Sequence, residues 1–326
     1  MNLTTRLALV PFLLGAGSLL AVAQVPGPDR PVAAAADTNG SVVLSGPTNA
    51  LLLRLFTDAS PEAAHLFNTF DLEAFGQTWL QSPGRDRTKH WLTEASTNAW
   101  MHNIMVDGAG PQLASTNGMK LIERASGRDW RYLAMDVSAA YRGRLDLYRR
   151  GILYIEPDLF IIHDHFIAGK PAVFQMVLHP PAATVVDSVW KDLRLDLPGK
   201  GGMQINAPSR RHQLRAWEKI ESTADSILPG TVTMRLGPTA ALDTVDIITV
   251  FAIYRPGEKK DYAFKFLESD TAVGARIHRA GLPTLVAFRT DPKTGTAASL
   301  TGFPFNGPVG VDAYRPKVKE SKKESK

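Results

Sequence analysis

The 326-residue sequence contains no cysteine. Disulfides, thiolate metal sites and cysteine nucleophiles are thereby excluded, and stability must come from burial, which a chain of this length can supply. Net charge is scarce once it is apportioned. Of the formal +5, Arg6 lies in the leader described below, and Lys317 to Lys326 holds five Lys and two Glu, or +3, so the stretch between carries about +1. The high pI therefore describes the tail. It gives little support to a nucleic-acid partner and leaves weak attraction to an acidic polymer or a membrane surface. Also missing are a Ser-nucleophile elbow, a dinucleotide fingerprint and a phosphate loop. Gly199-Lys200-Gly201-Gly202 lacks the strand-loop-helix context that a phosphate cradle needs.

What is present begins with a leader. Met1 to Ala23 carries Arg6, an apolar run from Leu7 to Leu20 and the small-residue end Ala21-Val22-Ala23, the layout of a secretory signal cleaved before Gln24. A membrane anchor is the competing reading, but Pro11 and Gly15 interrupt the run and it is short for spanning. No later stretch is long and apolar enough to cross. The expected destination is the periplasm or the exterior. Residues 24–39, with Pro-Gly-Pro and a run of Ala, read as a linker. Residues 40–316 read as one domain and residues 317–326 as a basic, disordered tail.

From Gly40 onward the segments are short, rich in β-branched and aromatic residues, and punctuated by Gly, Pro and Asp. Strands are expected at Ser41 to Leu44, Ala50 to Phe56, Thr69 to Phe75 and Thr78 to Gln81. Alternation through Leu145, Leu147 and Arg149, the apolar Ile152 to Ile155, the turn Glu156-Pro157-Asp158 and the return from Leu159 to Phe166 predict a hairpin, with Val173 to Leu178 as its next neighbour. Further strands are expected at Leu193 to Leu197, Met203 to Ile205, Thr231 to Leu236, Val245 to Tyr254 and Thr284 to Phe288. Asp58 to Ala64 and Arg211 to Ile220 are short helices or irregular loops. The fold class predicted is all-β, a large antiparallel β-sandwich.

Several segments carry a resemblance. Ala99 to Gly110 reads AWMHNIMVDGAG, a polar His102-Asn103 pair running into an apolar strand that ends at Asp107-Gly108. It resembles the HNTVxVDGxGQ segment of the C-terminal β-sandwich of heparinase II/III-like polysaccharide lyases. Ser41 to Gly84 resembles the start of that sandwich, where a strand pair leads to HxHxDxxSF, LxAxGxxW and DxG. Ala134 to Phe166 resembles its aDlsxaY...R.ilfvxpdylvvxDxl hairpin. The ordered set covers about residues 40 to 180 and is more specific than any one motif. In the larger members an (α/α) toroid precedes the sandwich, with the substrate cleft between them. No long helical segment precedes residue 40 here, so the chain reads as the sandwich alone.

The resemblance implies an acidic, uronic-acid-containing polysaccharide, glycosaminoglycan or alginate, as partner, and β-elimination as the chemistry. That reaction needs the uronate carboxylate neutralised, the C5 proton removed and the C4 oxygen protonated. His102 matches the family histidine and is the catalytic candidate. Arg87 matches an arginine that contacts substrate, and Asn103 and Trp100 join it as substrate-binding candidates; a guanidinium grips a carboxylate through two hydrogen bonds. The family's metal site is reduced to His65 and His102: the HxH pair is one displaced histidine, its Asp is absent, and the DxG aspartate is Ser82. Two side chains make a weak zinc site, since three or four protein ligands are usual. A toroid-bearing partner chain or a homo-oligomer would supply the missing acid and base. A binding or structural module that has lost the lyase site is the rival reading.

His163-Asp164-His165, whose Asp164 matches an aspartate of the family hairpin, lies on a predicted strand, whose alternation puts both histidines on one face and Asp164 on the other. Strand-borne metal sites use that arrangement, although a third ligand is not visible. Asp164 suits a hydrogen bond to a neighbouring loop. Trp79, Trp91 and Trp100 are sugar-stacking platforms if exposed and core residues if not.

Overall fold

The computed structural model describes residues 35–37, 41–45, 51–56, 68–81, 104–107, 119–181, 183–189, 192–207, 219–220, 233–238, 240–258, 262–279, 282–290 and 297–313. The chain divides into two units, Met1–Pro31 and Val32–Lys326, and all the described residues belong to the second. The expected linker at residues 24–39 runs across that division.

Twenty-three strands can be followed. The first five are β1 (Ala35–Asp37), β2 (Ser41–Ser45), β3 (Leu51–Phe56), β4 (Phe70–Ala74) and β5 (Gln77–Leu80). Then come β6 (Ile104–Val106), β7 (Lys120–Ser126), β8 (Trp130–Asp136), β9 (Leu147–Ile155), β10 (Leu159–Ala172), β11 (Phe174–Leu178), β12 (Val185–Val189), β13 (Asp192–Leu197) and β14 (Gly201–Asn206). The rest are β15 (Lys219–Ile220), β16 (Thr233–Leu236), β17 (Leu242–Tyr254), β18 (Tyr262–Glu268), β19 (Ala272–Arg279), β20 (Leu282–Arg289), β21 (Ala298–Leu300), β22 (Phe303–Phe305) and β23 (Val309–Ala313). Every pairing is antiparallel, and the arrangement is the all-β sandwich that the sequence predicts.

The organising element is an eight-stranded sheet in the order β12-β13-β14-β17-β10-β9-β8-β7. Its middle strands are apolar on both faces, and period-two alternation assigns each residue to a side. On one side, Tyr148, Ile152, Tyr154, Phe160, Ile162, Phe166 and Phe251 join a core with the sheet β1 to β5 and with Ile104, Val106, Phe174 and Met176 of the sheet β15-β16-β11-β6. On the other, Leu153, Ile155, Leu159, Ile161, Ile248 and Val250 meet Val273, Ala275, Ile277, Val286 and Phe288 of the sheet β18-β19-β20-β23. The β21-β22 hairpin covers the far face of that last sheet through Leu300 and Phe305. The sandwich therefore has a central sheet covered on both sides. A polar clasp fixes the C-terminal sheet: the Tyr262 hydroxyl donates to Asp158 Oδ2 at 3.0 Å, and the Gln204 amide pairs with the Tyr262 backbone at 3.0 and 3.2 Å.

Close approach within this sheet and to the hairpin over it rests on Gly274, where a Cβ would overlap the carbonyl oxygen of Val286 on the paired strand β20 and stand 2.5 Å from a Leu300 methyl of β21. The first of those groups is backbone and cannot swing aside. Gly274→Ala is expected to destabilise the fold by about 1 to 3 kcal/mol, measured as a drop in the urea midpoint; an unchanged midpoint would mean that the layers have slack.

Two local expectations are corrected. Val173 to Leu178 does form a strand, β11, but not as the hairpin's neighbour: both edges of β10 are already taken, by β9 and β17, so β11 crosses to pair with β16 and β6. Lys219 and Ile220, at the end of the possible second helix, are strand, paired with Met234 and Thr233; residues 211–218 of that segment, and Asp58 to Ala64, lie outside the described residues. Among the described residues no helix is long and apolar enough to cross a membrane.

Candidate functional site

The residues singled out for the lyase-like site, His65, Arg87, Trp100, His102 and Asn103, lie outside the described residues, as do Trp91 and Ser82. Their described neighbours in sequence are informative. Asn68, three residues after His65, and Ile104, two after His102, are both buried and both held by one polar cluster on the central sheet.

That cluster is built from β9 and β10. Registers pair Asp164 with Arg150 across the hairpin, on the face toward the first core. Arg150 Nε donates to Asp164 Oδ1 at 2.7 Å and Nη2 to Oδ2 at 3.1 Å, a bidentate ion pair in which both side chains are fully buried. The third guanidinium nitrogen, Nη1, donates to Asn68 Oδ1 at 3.0 Å and to the Asn68 carbonyl at 3.2 Å. Asn68 has φ 55°, a left-handed conformation that asparagine tolerates better than most residues, and the double grip from Arg150 helps to hold it there. Tyr148 closes the ring, its hydroxyl donating to Asp164 Oδ1 at 3.1 Å while accepting from Asn68 Nδ2 at 3.2 Å. Tyr141 stacks edge-on against Tyr148 and donates to the Ile104 carbonyl at 2.9 Å. Asp164 thus meets an arginine of the adjacent strand, where the sequence suggested a loop partner; Arg150 was not singled out, although it stands where the hairpin pattern has its arginine and is a cation inside an apolar strand.

Burial sets the electrostatics. It pushes the phenols of Tyr141 and Tyr148 well above their ordinary range, Arg150 pulling the other way with less effect. For Arg150, burial works against the charge but the adjacent Asp164 outweighs it and keeps the guanidinium protonated. Neither tyrosine is poised to accept a proton at neutral pH, and both hydroxyls are already engaged. The cluster is a clamp on Asn68 and Ile104. Trp79 is fully buried, which answers the stacking question for that ring in favour of the core.

On the opposite face of the same sheet stand His163 and His165, together as the alternation predicts. Their partner is Asp246 of β17: His163 Nε2 and His165 Nδ1 each lie 2.8 Å from the same oxygen, Oδ1. Burial would raise the Asp246 carboxyl, but the hydrogen bonds and charge of the two imidazoles outweigh it and hold it well below the usual carboxylate range. The third group that the sequence left unseen is therefore present, as a hydrogen-bond acceptor. Among the described residues, no set of three or more His, Asp or Glu side chains is placed to hold a metal ion.

No protein-family model matches the chain, and no curated protein matches it. Solved structures do. Heparan sulfate lyase HepC from Pedobacter heparinus superposes with a TM-score of 0.59 at 13% identity over 79% of this chain and 42% of its own. A heparinase III structure gives 0.59 at 14% identity over 78% and 42%, and a second heparinase III 0.60 at 10% over 77% and 41%. The chain spans about two fifths of the length of these lyases, and what it shares with them over that span is an all-β fold.

Proposed function

We propose that the chain is an exported protein, freed of Met1 to Ala23, that engages acidic, uronic-acid-containing polysaccharide and takes part in its β-elimination. In this reading Arg87 holds the uronate carboxylate, His102 orients the sugar or exchanges a proton, and Asn103 and Trp100 contact the chain. His65 with His102 forms the remnant of a zinc site. The missing acid and base come from a toroid-bearing partner chain or from a second copy. The observation that carries the reading is the clamp: a single buried cluster fastens Asn68 and Ile104, the described residues nearest in sequence to His65 and His102, the first to Arg150 of β9 and the second to Tyr141 in the 3-10 turn Ser138–Tyr141 that precedes β9. Fully satisfied buried polar networks specify one arrangement, which a preorganised site requires. The likeness of fold to heparan-sulfate-cleaving enzymes adds to it by analogy.

One observation favours the rival reading, a carbohydrate-binding module without turnover of its own. A tyrosine sharing a groove with His102 could replace a toroid base, but Tyr141 and Tyr148 are buried and engaged in the clamp. The test is ultraviolet absorbance of unsaturated uronate with the mature chain and a panel of alginate, heparan and chondroitin, comparing wild type with His102→Ala. A rise that His102→Ala abolishes is the expected result. Retardation of a polysaccharide in a gel without any rise would select the module. Neither rise nor retardation for any polymer would sink the polysaccharide reading.

A further inference from the structure

On the face of the central sheet away from the clamp, a small recess opens between β9, β10 and the end of β20, and we propose that it binds a single oxyanion group, a carboxylate or a sulfate. The site is independent of the polysaccharide reading above, since it uses none of the residues named there. Four cationic or proton-donating side chains line it: Arg149, Arg289, His163 and His165. Gly151 also lines it, and a Cβ there would stand 2.8 Å from the Tyr132 hydroxyl, so the missing side chain is what lets the Tyr132 ring lie beside the recess. The volume is about 20 Å³, enough for a water or the tip of an oxyanion and too small for a sugar ring, so whatever carries the anion stays in solvent.

The charges around the recess are ordered for this task. Asp246, on β17, is nearly buried and remains an anion far into the acid range, and by accepting from both imidazoles it fixes their rings and leaves the second nitrogen of each turned elsewhere. His163 is further locked by stacking on Phe288, ring centroids 4.8 Å apart. Arg289, on β20, is steadied by donation from Nε to the Gly307 carbonyl at 3.3 Å and lies over the Phe305 ring. Arg149, on β9, meets Glu123 of the edge strand β7 through Nη2 at 3.4 Å, with both side chains partly exposed. That pair is long and at the rim, where such bridges are weak, so an incoming anion competes with Glu123 for the guanidinium at little cost. Tyr132, on β8, is the remaining titratable group, and burial keeps its phenol neutral. A metal is the poorer occupant, because both histidines already converge on one oxygen of Asp246 and no third ligand joins them among the described residues.

The experiment uses the full mature chain, labelled with ¹⁵N-histidine. Long-range ¹H–¹⁵N spectra of the imidazoles are followed at about pH 6 during titration with sodium sulfate, against sodium chloride at equal ionic strength, with the exposed His278 as internal reference. The His163 and His165 signals should move and saturate with sulfate while His278 follows the chloride control. Glu123→Gln should tighten sulfate binding about threefold, because the Arg149 guanidinium is then released to the anion. Arg149→Gln should weaken it about tenfold, the effect of losing one charge-assisted hydrogen bond. The Glu123 variant keeps the test decisive should Arg149→Gln fold poorly. Repeating the titration with glucuronate and with a sulfated disaccharide separates the sources: tighter binding than sulfate identifies a sugar-borne group, equal or weaker binding a free inorganic anion. Imidazole shifts that are linear, or equal to those in chloride, would overturn the proposal.

Discussion

Asp164→Ala is expected to destabilise the fold by about 3 to 5 kcal/mol, the cost of leaving a buried charge without its partner. Arg150 is wholly buried, and two of its three nitrogens spend their hydrogen bonds on Asp164. A guanidinium does not deprotonate to escape its surroundings, so the charge would stay and the Tyr148 hydroxyl would lose its acceptor as well. The informative comparison is the double variant Arg150→Met with Asp164→Leu. Removing both charges removes the desolvation penalty, and its cost should be no more than about 2 kcal/mol, set by packing and by the released Asn68. Urea unfolding of the three proteins measures this directly. Should the single variant lose less than about 1 kcal/mol, the ion pair would not be holding the sheet or Asn68 in the way described.

The double variant also separates stability from site. It removes both hydrogen bonds that Arg150 Nη1 donates to Asn68 while leaving the apolar core intact, so a folded double variant with weakened polysaccharide retention would place the clamp's importance in positioning. Unchanged retention would confine the clamp to stability.

How much of this was legible beforehand follows from sequence distance. The hairpin β9-β10 was readable because its alternation, its turn at Glu156-Pro157-Asp158 and its return strand sit within about twenty residues. The shared face of His163 and His165 was readable for the same reason, since period two is a local property. Their acceptor was not. Asp246 joins them through the pairing of β10 with β17, a contact made 81 residues away, and nothing in the intervening sequence announces that register. The crossover of β11 was hidden likewise, because sequential strands usually neighbour one another and only the occupancy of both β10 edges forbids it here. The double-sided central sheet was implicit in the apolar runs Leu159 to Ile162 and Ile247 to Ile253, the second broken only by the buried Thr249, which serve two cores at once, whereas β18 alternates in the manner of a half-buried edge strand. As for the lyase-like candidates, His65 and His102 rest on likeness alone, while the clamp on Asn68 and Ile104 depends on Arg150, a cation inside a strand that stands where the hairpin pattern has its arginine.

The second large effect expected is alkaline unfolding. Tyr132, Tyr141 and Tyr148 are buried, and burial raises each phenol above its value in the unfolded chain, with Arg149 or Arg150 offsetting only part of it. A group whose folded pKa is raised gives its full stabilisation below the unfolded pKa, about 10 for tyrosine, and loses it as the pH climbs toward the folded value. Above pH 10 the unfolded chain releases these three protons while the folded chain retains them, and the phenols of Tyr154 and Tyr254, which burial also raises, add to the effect. Each proton contributes a slope of about 1.4 kcal/mol per pH unit, so stability should fall by at least about 4 kcal/mol per unit. Urea midpoints between pH 9 and 11.5, read alongside phenolate absorbance, test this. The midpoint should hold level to about pH 10 and then drop, with the buried phenolate signal arriving together with unfolding and not before it. Tyr132→Phe should lessen the slope by about 1.4 kcal/mol per pH unit, since it removes one of these protons. Phenolate formation by these tyrosines in a chain that keeps its folded spectrum would mean that the two cores admit water and charge far more readily than their burial implies.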